Sequence, residues 1–367
     1  MKKRGGLVKG LVEEAMTKKA APIQQNMSDF EQVRIIVVGV GGAGCNTMHR
    51  LSTMGIRGAE LYAINTDKPH LEQKVSDEVN KILIGGAVTK GKGAGGFPEV
   101  GAKAAEVSKN EISQIVDGAD MVFLTSGMGG GTGTGAAPIV AQLAKEQGAI
   151  VISMVTYPFS LERARLSKAE KGIAELSKYS DTVIVIDNNR LRELLPNVPM
   201  LEAFRVADTV IAKTIQGITE TVTQPSLINI DFADLRAVMG GGGLSVIAVG
   251  ESKSVDKVNE VVEDTLNNAL LDTNVTGATG ALIHITGGTE LTLGEANEIG
   301  ELLTEKVSTE ATVIWGARLE PEFENQIRVI AIFTGVTSPY ISKPAAGKSG
   351  ASMRETARDD FGLARLH

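Results

Sequence analysis

The sequence predicts a two-part α/β protein whose larger part is a doubly wound parallel sheet, and three observations predict it. Continuous Val/Ile runs alternate with amphipathic stretches from Arg34 onward. The glycines gather at strand–helix turns instead of spreading along the chain. A long amphipathic segment at 200–222 then separates one α/β set from a second, smaller one.

The strands are read first. Arg34–Gly39, Glu60–Asn65, Lys81–Ile84, Asp120–Thr125, Ile150–Val155 and Thr182–Ile186 include unbroken apolar runs, the pattern of parallel strands covered on both faces. Helical stretches at 43–54, 98–117, 134–147 and 162–179 intervene. That alternation places ligands at the carboxyl ends of the strands. The segment 200–222 carries apolar residues at three-to-four spacing and stops near Gln224-Pro225. The second set follows, with strands Leu244–Gly250, Ala281–Thr286, Thr312–Gly316 and Arg328–Phe333 around helices 254–270 and 292–307.

Composition narrows the function. With 367 residues the chain holds two medium domains. It is 43% hydrophobic and 22% charged, as ordinary globular proteins are. A net charge of −7 and aromatics at 4% argue against a phosphate-backbone binder or a stacking platform for single strands. The single cysteine, Cys45, forms no internal disulfide and no zinc constellation. His49, His70, His284 and His367 are scattered and read as structural or surface residues. No signal peptide or membrane-spanning apolar run is present, so the expected location is the cytoplasm.

The first glycine cluster, Gly39 to Gly44, follows a strand and opens a helix. Such glycines let backbone N–H groups face a phosphate at a helix N-terminus. Alone, Gly39-x-Gly41-x-x-Gly44 reads equally as a dinucleotide fingerprint, with Glu60 or Asp67 as the ribose acid. The second cluster, Gly127-Met128-Gly129-Gly130-Gly131-Thr132-Gly133-Thr134-Gly135, decides between them. Two glycine loops flanking one site suit a triphosphate, and no Walker A loop occurs. A nicotinamide oxidoreductase would leave the second loop unexplained.

The run Gly129–Gly135 resembles the tubulin/FtsZ signature, and the likeness to FtsZ continues in register across about residues 34–336. The resemblance implies a tubulin/FtsZ-like fold divided as follows. It has an N-terminal arm (1–33), a GTP-binding domain (34–199), a central helix (200–222) and a catalytic loop and helix (223–243). A C-terminal α/β domain (244–336) and a flexible linker with a terminal peptide (337–367) complete it.

It also implies a GTPase that binds GTP or GDP with Mg²⁺, the metal held mainly through the phosphates. Gly41, Gly42, Ala43, Gly44, Cys45 and Asn46 would form the first phosphate loop, and Gly127, Gly129, Gly130, Gly131, Thr132, Gly133 and Thr134 the second. Asn65 and Asp67 resemble the acidic loop near phosphates and metal, and Gly93, Ala94 and Gly95 belong to the γ-phosphate-sensing loop. Glu162 would face the ribose. Asn188 and Asp208 would read guanine, whose N1 and exocyclic N–H donors a carboxylate accepts, with Phe204 stacking on the base.

Asp231 and Asp234, with Asn229, resemble the activating loop that enters the site of the next subunit and makes hydrolysis wait for head-to-tail assembly into a division ring. Alone, an Asp at a helix start is ordinarily a cap. A nucleotide-binding filament without turnover is the rival within this class, and the intact Asp pair speaks against it. One departure stands out. Bacterial relatives carry a basic residue four positions after the ribose-facing acid, where this chain has Leu166, so Arg165 is the candidate to take that place. With Asp187-Asn188-Asn189-Arg190, this makes the chain more similar to archaeal than to bacterial FtsZ. The terminal peptide 354–367 implies a membrane-anchoring adaptor such as SepF as partner.

Overall fold

Strands rich in β-branched residues, most of them followed by a helix, build the described part of the chain. The computed structural model describes residues 33–194, 197–223, 228, 231–239, 244–266, 275–305 and 307–336. The N-terminal arm, the linker and terminal peptide, and Asn229 lie outside the described residues.

In chain order the elements begin β1 (Ile35–Val40), α1 (Gly41–Met54), β2 (Glu60–Asn65), α2 (Lys68–Lys74), β3 (Asn80–Leu83) and α3 (Gly86–Thr89). There follow α4 (Pro98–Val107), α5 (Lys109–Val116), β4 (Met121–Gly127), α6 (Thr132–Glu146), β5 (Ile150–Tyr157) and α7 (Arg163–Leu176). Next come β6 (Thr182–Asp187), α8 (Asn188–Leu194), the central helix α9 (Met200–Thr223) and α10 (Phe232–Met239). The remainder is β7 (Leu244–Ser252), α11 (Lys257–Leu266), β8 (Gly280–Gly287), α12 (Leu293–Thr304), β9 (Thr312–Leu319) and β10 (Ile327–Val336).

All ten strands read from the sequence are present, in one sheet of order β3-β2-β1-β4-β5-β6-β7-β10-β8-β9. The first six run parallel. Their order 3-2-1-4-5-6 is doubly wound, with its switch point between β1 and β4, where such sheets bind ligands. Both glycine clusters follow those two strands. Among the described residues β6 and β7 are joined through one register pair, Val183 with Leu244.

Beyond that joint the sheet is mixed. β10 inserts between β7 and β8 and runs antiparallel to both, while β8 and β9 are parallel. The alternation of elements carried no sign of this, because pairing across the sheet is set by tertiary contacts and not by local pattern. The helix expected at 98–117 is two helices broken at Ser108, whose hydroxyl accepts from the Gly85 N–H at 3.1 Å.

Strand alternation sends Ile36, Val38 and Val40 into one apolar layer and Ile35 and Val37 into the other. The first layer includes Val140, Ala141 and Ala144 of α6; the second includes Met48 and Leu51 of α1 and Ile211 and Ile215 of α9. A Cβ at Gly217 would stand 1.9 Å from Ile330 Cδ1, so α9 lies close against β10.

His284, buried on β8 opposite Ile330, has no partner for its Nδ1. Burial, with a smaller push from the Arg318 charge, lowers it from 6.5 to about 4. The unfolded chain therefore takes up this proton first, and stability is lost as pH falls from 6.5 toward 4. The expected loss is roughly 3 kcal/mol. Denaturant unfolding at pH 7 and pH 4.5 checks it: the wild type is expected to lose more stability than His284→Asn, and equal losses would refute the assignment.

Candidate functional site

A cavity of about 1040 Å³ opens at the carboxyl ends of the parallel strands. Its floor is two glycine loops that interlock. Gly41 has φ +76°, and a Cβ on it would stand 2.9 Å from the Gly133 nitrogen; one on Gly133 would stand 2.4 Å from Ser126 Oγ. The first and second loops are therefore in backbone contact, and any side chain there would separate them. At Gly130, by contrast, a Cβ would meet nothing nearer than 3.9 Å, so that glycine faces open cavity.

The neighbouring loops are tied to this floor. Thr66 Oγ1 and Thr132 Oγ1 share a buried hydrogen bond of 2.6 Å. Gly93 N–H donates to Thr66 O at 3.0 Å, and Lys68 N–H to Gly91 O at 3.0 Å. The Asp67 carboxylate caps α2 by accepting from His70 N–H at 3.1 Å. On the far side, Asp187 Oδ1 accepts from Asn189 N–H at 2.8 Å, and Asn189 Oδ1 accepts from the Ser160 N–H and hydroxyl. This fixes the start of α8 to the loop after β5.

Most of the residues singled out from the sequence meet at this wall: Gly41, Gly42, Ala43 and Asn46; Asn65 and Asp67; Gly93, Ala94 and Gly95. So do Gly127, Gly130, Gly131, Thr132, Gly133, Glu162, Arg165, Asn188, Phe204 and Asp208. Arg165 pairs with Glu162 at 2.6 Å, while Leu166 packs on the apolar layer. Phe204 meets Phe159 edge-on at 5.7 Å, leaving it 38% exposed at the cavity.

Four stand behind the wall. Gly44 backs onto Thr125 O, where a Cβ would come within 2.5 Å. Cys45 is fully buried with its thiol toward Ile64 O, and burial pushes it up to about 12, far from a thiolate. Gly129 is covered by Arg165, and Thr134 Oγ1 accepts from Gly129 N–H at 2.9 Å. These residues shape the loops without facing the cavity. Glu60, the alternative ribose acid, is ion-paired with Arg34 at 2.7 Å at the opposite end of β2.

Asp231 and Asp234 are elsewhere altogether. Asp231 Oδ1 accepts from Asp234 N–H at 2.7 Å, capping α10. Arg236 of the same helix donates to Gly148 O at 3.4 Å, just before β5 begins. The pair therefore lies at the amino end of the sheet, about one strand length (roughly 26 Å for eight residues) from the cavity.

Sequence reading missed most of the cationic wall. His49, Arg50, His70, Lys74 and Arg205 line the cavity, as does Lys92 of the run Gly91–Gly96 that resembles the γ-phosphate-sensing loop. Helical spacing held the signal for some of them. His49 and Arg50 stand three and four positions after Asn46 on α1, and His70 stands three after Asp67, the cap of α2.

Two observations test whether a guanine nucleotide fits. Asn188 Oδ1 is buried without a partner. Burial also pushes the Asp208 carboxyl up to about 6, against the Thr47 hydroxyl at 3.3 Å and the Arg50 charge. A desolvated carboxylate and an orphan amide oxygen lining one cavity are complementary to a base edge that presents N–H groups.

Comparison with known proteins agrees with this geometry. Residues 34–196 match the model of the Tubulin/FtsZ family GTPase domain, and residues 243–337 that of the FtsZ family C-terminal domain. The chain is 56% identical over 338 residues to cell division protein FtsZ 2 of Methanocaldococcus jannaschii, covering 91% of this chain and 88% of the relative. It is 50% identical over 331 residues to FtsZ 2 of Halobacterium salinarum, covering 90% and 84%. A solved empty FtsZ dimer of M. jannaschii superposes with TM-score 0.77 at 44% identity, over 90% of this chain and 92% of that one. CetZ1 of Haloferax volcanii, at 23% identity and TM-score 0.71 over 84% and 96%, shares the fold. The chain belongs to the FtsZ family, the cell-division branch of the tubulin-like GTPases, and binds and hydrolyses GTP.

Proposed function

We propose that the chain polymerises head to tail and that each GTPase site is completed by the next subunit. One observation carries this reading: the cavity and the Asp231/Asp234 pair lie at opposite ends of the same parallel sheet. One chain cannot bring them together, whereas stacking one copy on another in the same orientation does. The solved relative that is a dimer supports self-association.

In the proposed site the glycine loops and Thr132 hold the phosphates, Asn188 and Asp208 read guanine, Phe204 covers the base, and Glu162 with Arg165 faces the ribose. Asp231 and Asp234 of the adjacent subunit orient and polarise water, and Asn229 contacts phosphate or water. The water oxygen bonds to the γ-phosphorus as the bond to the β–γ bridging oxygen breaks, giving GDP and phosphate. The work is positioning and charge stabilisation. Mg²⁺ would be held mainly by the phosphates and would neutralise their charge; among the described residues no three metal-ligating side chains cluster.

The division of the chain at 34–199, 200–222, 223–243 and 244–336 belongs to the same proposal, supported by the change from a parallel to a mixed sheet beyond β6. Filaments would form the division ring in the cytoplasm. No helix among the described residues is long and apolar enough to cross a membrane, and residues 354–367 would reach it through an adaptor such as SepF. Turnover per subunit, measured across protein concentrations with Mg²⁺ and with ATP as control, tests the reading. GTP-specific turnover that rises above a threshold concentration is the expected result. Turnover independent of concentration would mean a self-contained site, and binding without turnover a passive filament.

A further inference from the structure

We propose that the Thr47 hydroxyl is the positioning group that keeps Asp208 charged for reading the base, switching its one proton between that carboxylate and the Ala43 carbonyl. The inference rests on reading Asp208 as the guanine-reading acid of a GTP site. It starts from the contacts of a single buried side chain.

Thr47 lies on α1, one helical turn after Ala43, and is 2% exposed. Its Oγ1 stands 3.3 Å from Ala43 O and 3.3 Å from Asp208 Oδ1. Ala43 belongs to the first glycine loop and Asp208 to α9, and both line the cavity. One hydroxyl therefore joins the proposed phosphate loop to the base-reading acid. Among the described residues it is the one hydrogen-bond donor to that carboxylate.

A hydroxyl has one proton to give, and here two acceptors compete for it. An ionised Asp208 offers no proton, so the bond between the two side chains forms only when Thr47 turns its own proton away from Ala43 O. That bond is charge-assisted. A protonated Asp208 can donate to Thr47 Oγ1, and the Thr47 proton then returns to Ala43 O. Both states are satisfied, yet the stronger bond belongs to the ionised one, so Thr47 favours the carboxylate. This opposes burial, which pushes the same carboxyl up to about 6. Valine at this position would fill the same space and leave no room for a water to replace the lost donor.

The elements packed against α9 also carry charges. α1 brings His49 and Arg50, and α8 brings Arg190. Arg328 of β10 is paired with Glu251, and Arg205 of α9 itself with Glu202. All of these are shared by wild type and Thr47→Val, so the difference between the two proteins reads the hydroxyl.

Equilibrium binding of GDP to the full chain between pH 5 and pH 8 tests the proposal. Thr47→Val is expected to move the pH at which affinity halves upward by about one unit. It should bind GDP about fivefold more weakly than wild type at pH 6 and within about twofold at pH 8. Thr47→Ser keeps the hydroxyl and is expected to restore the wild-type profile. In an Asp208→Asn background, Thr47→Val should leave the pH profile unmoved. A loss in Thr47→Val that is equal at every pH, or an unmoved profile, would overturn the role of Thr47 while the cavity reading stands. If wild type binds GDP without a step near pH 6 that Asp208→Asn removes, Asp208 is not the titrating reader and the proposal falls. If wild type binds no GDP, the cavity reading itself falls and takes Thr47 with it.

Discussion

Asp234→Ala is expected to lower GTP turnover by about 10²–10⁴-fold, the range lost with a positioned acid–base group, while leaving GTP affinity within about twofold. The residue is remote from the cavity of its own chain, so its loss leaves the phosphate loops, the base pocket and their hydrogen bonds in place. Asp231 is a less clean target. Its carboxylate caps α10, and its removal would add a helix-stability cost of about 1 kcal/mol to any catalytic effect. The decisive form mixes Asp234→Ala with a Gly130→Ser chain, whose hydroxymethyl group projects into the cavity. Each is inactive alone. A mixed filament places an intact Asp pair over an intact cavity at some contacts, so turnover is expected to reappear on mixing. No recovery, with both proteins assembling, would place catalysis within one chain.

Asp208→Asn is expected to weaken GTP binding by about 10²-fold or more, because two guanine N–H donors lose a charged acceptor. The substitution should do more than weaken. An amide offers one donor and one acceptor, which suits xanthine, where a carbonyl replaces the exocyclic amino group of guanine. Relative affinity is therefore expected to turn from GTP toward XTP. A loss shared equally by both nucleotides would mean that the residue supports the pocket without reading the base. A pH series gives an independent check. The wild-type carboxyl, raised by burial to about 6, should take up a proton as pH falls through that value and surrender GTP affinity. In Asp208→Asn that dependence should be absent. The same burial means that the empty protein carries a desolvated carboxylate at neutral pH, which destabilises it relative to pH below about 4, where both folded and unfolded chains hold the proton.

Much of this was legible in the sequence because it is local. Val/Ile runs gave all ten strands, and glycine with threonine at two strand–helix turns gave the cavity floor. What escaped depends on chain crossings. The antiparallel insertion of β10 is invisible to periodicity, since a strand looks alike in either direction. The break at Ser108 follows from a hydrogen bond to Gly85, twenty-three positions away. His49 and His70 looked ordinary as single residues and face the cavity through helical geometry. Gly44, Cys45, Gly129 and Thr134 fall within phosphate-loop motifs, yet contiguity in a motif does not decide which side of a loop a residue faces.

Placing the cavity and the Asp pair at opposite ends of one sheet has a consequence for counting. On the proposed reading, a stack of n subunits contains only n−1 finished sites. One terminus presents an Asp pair with no nucleotide to act on, and the other a loaded cavity with nothing to trigger it. That second terminus keeps its GTP until another subunit lands, so the age of the nucleotide increases along the stack and the two ends are chemically distinct from the first contact onward.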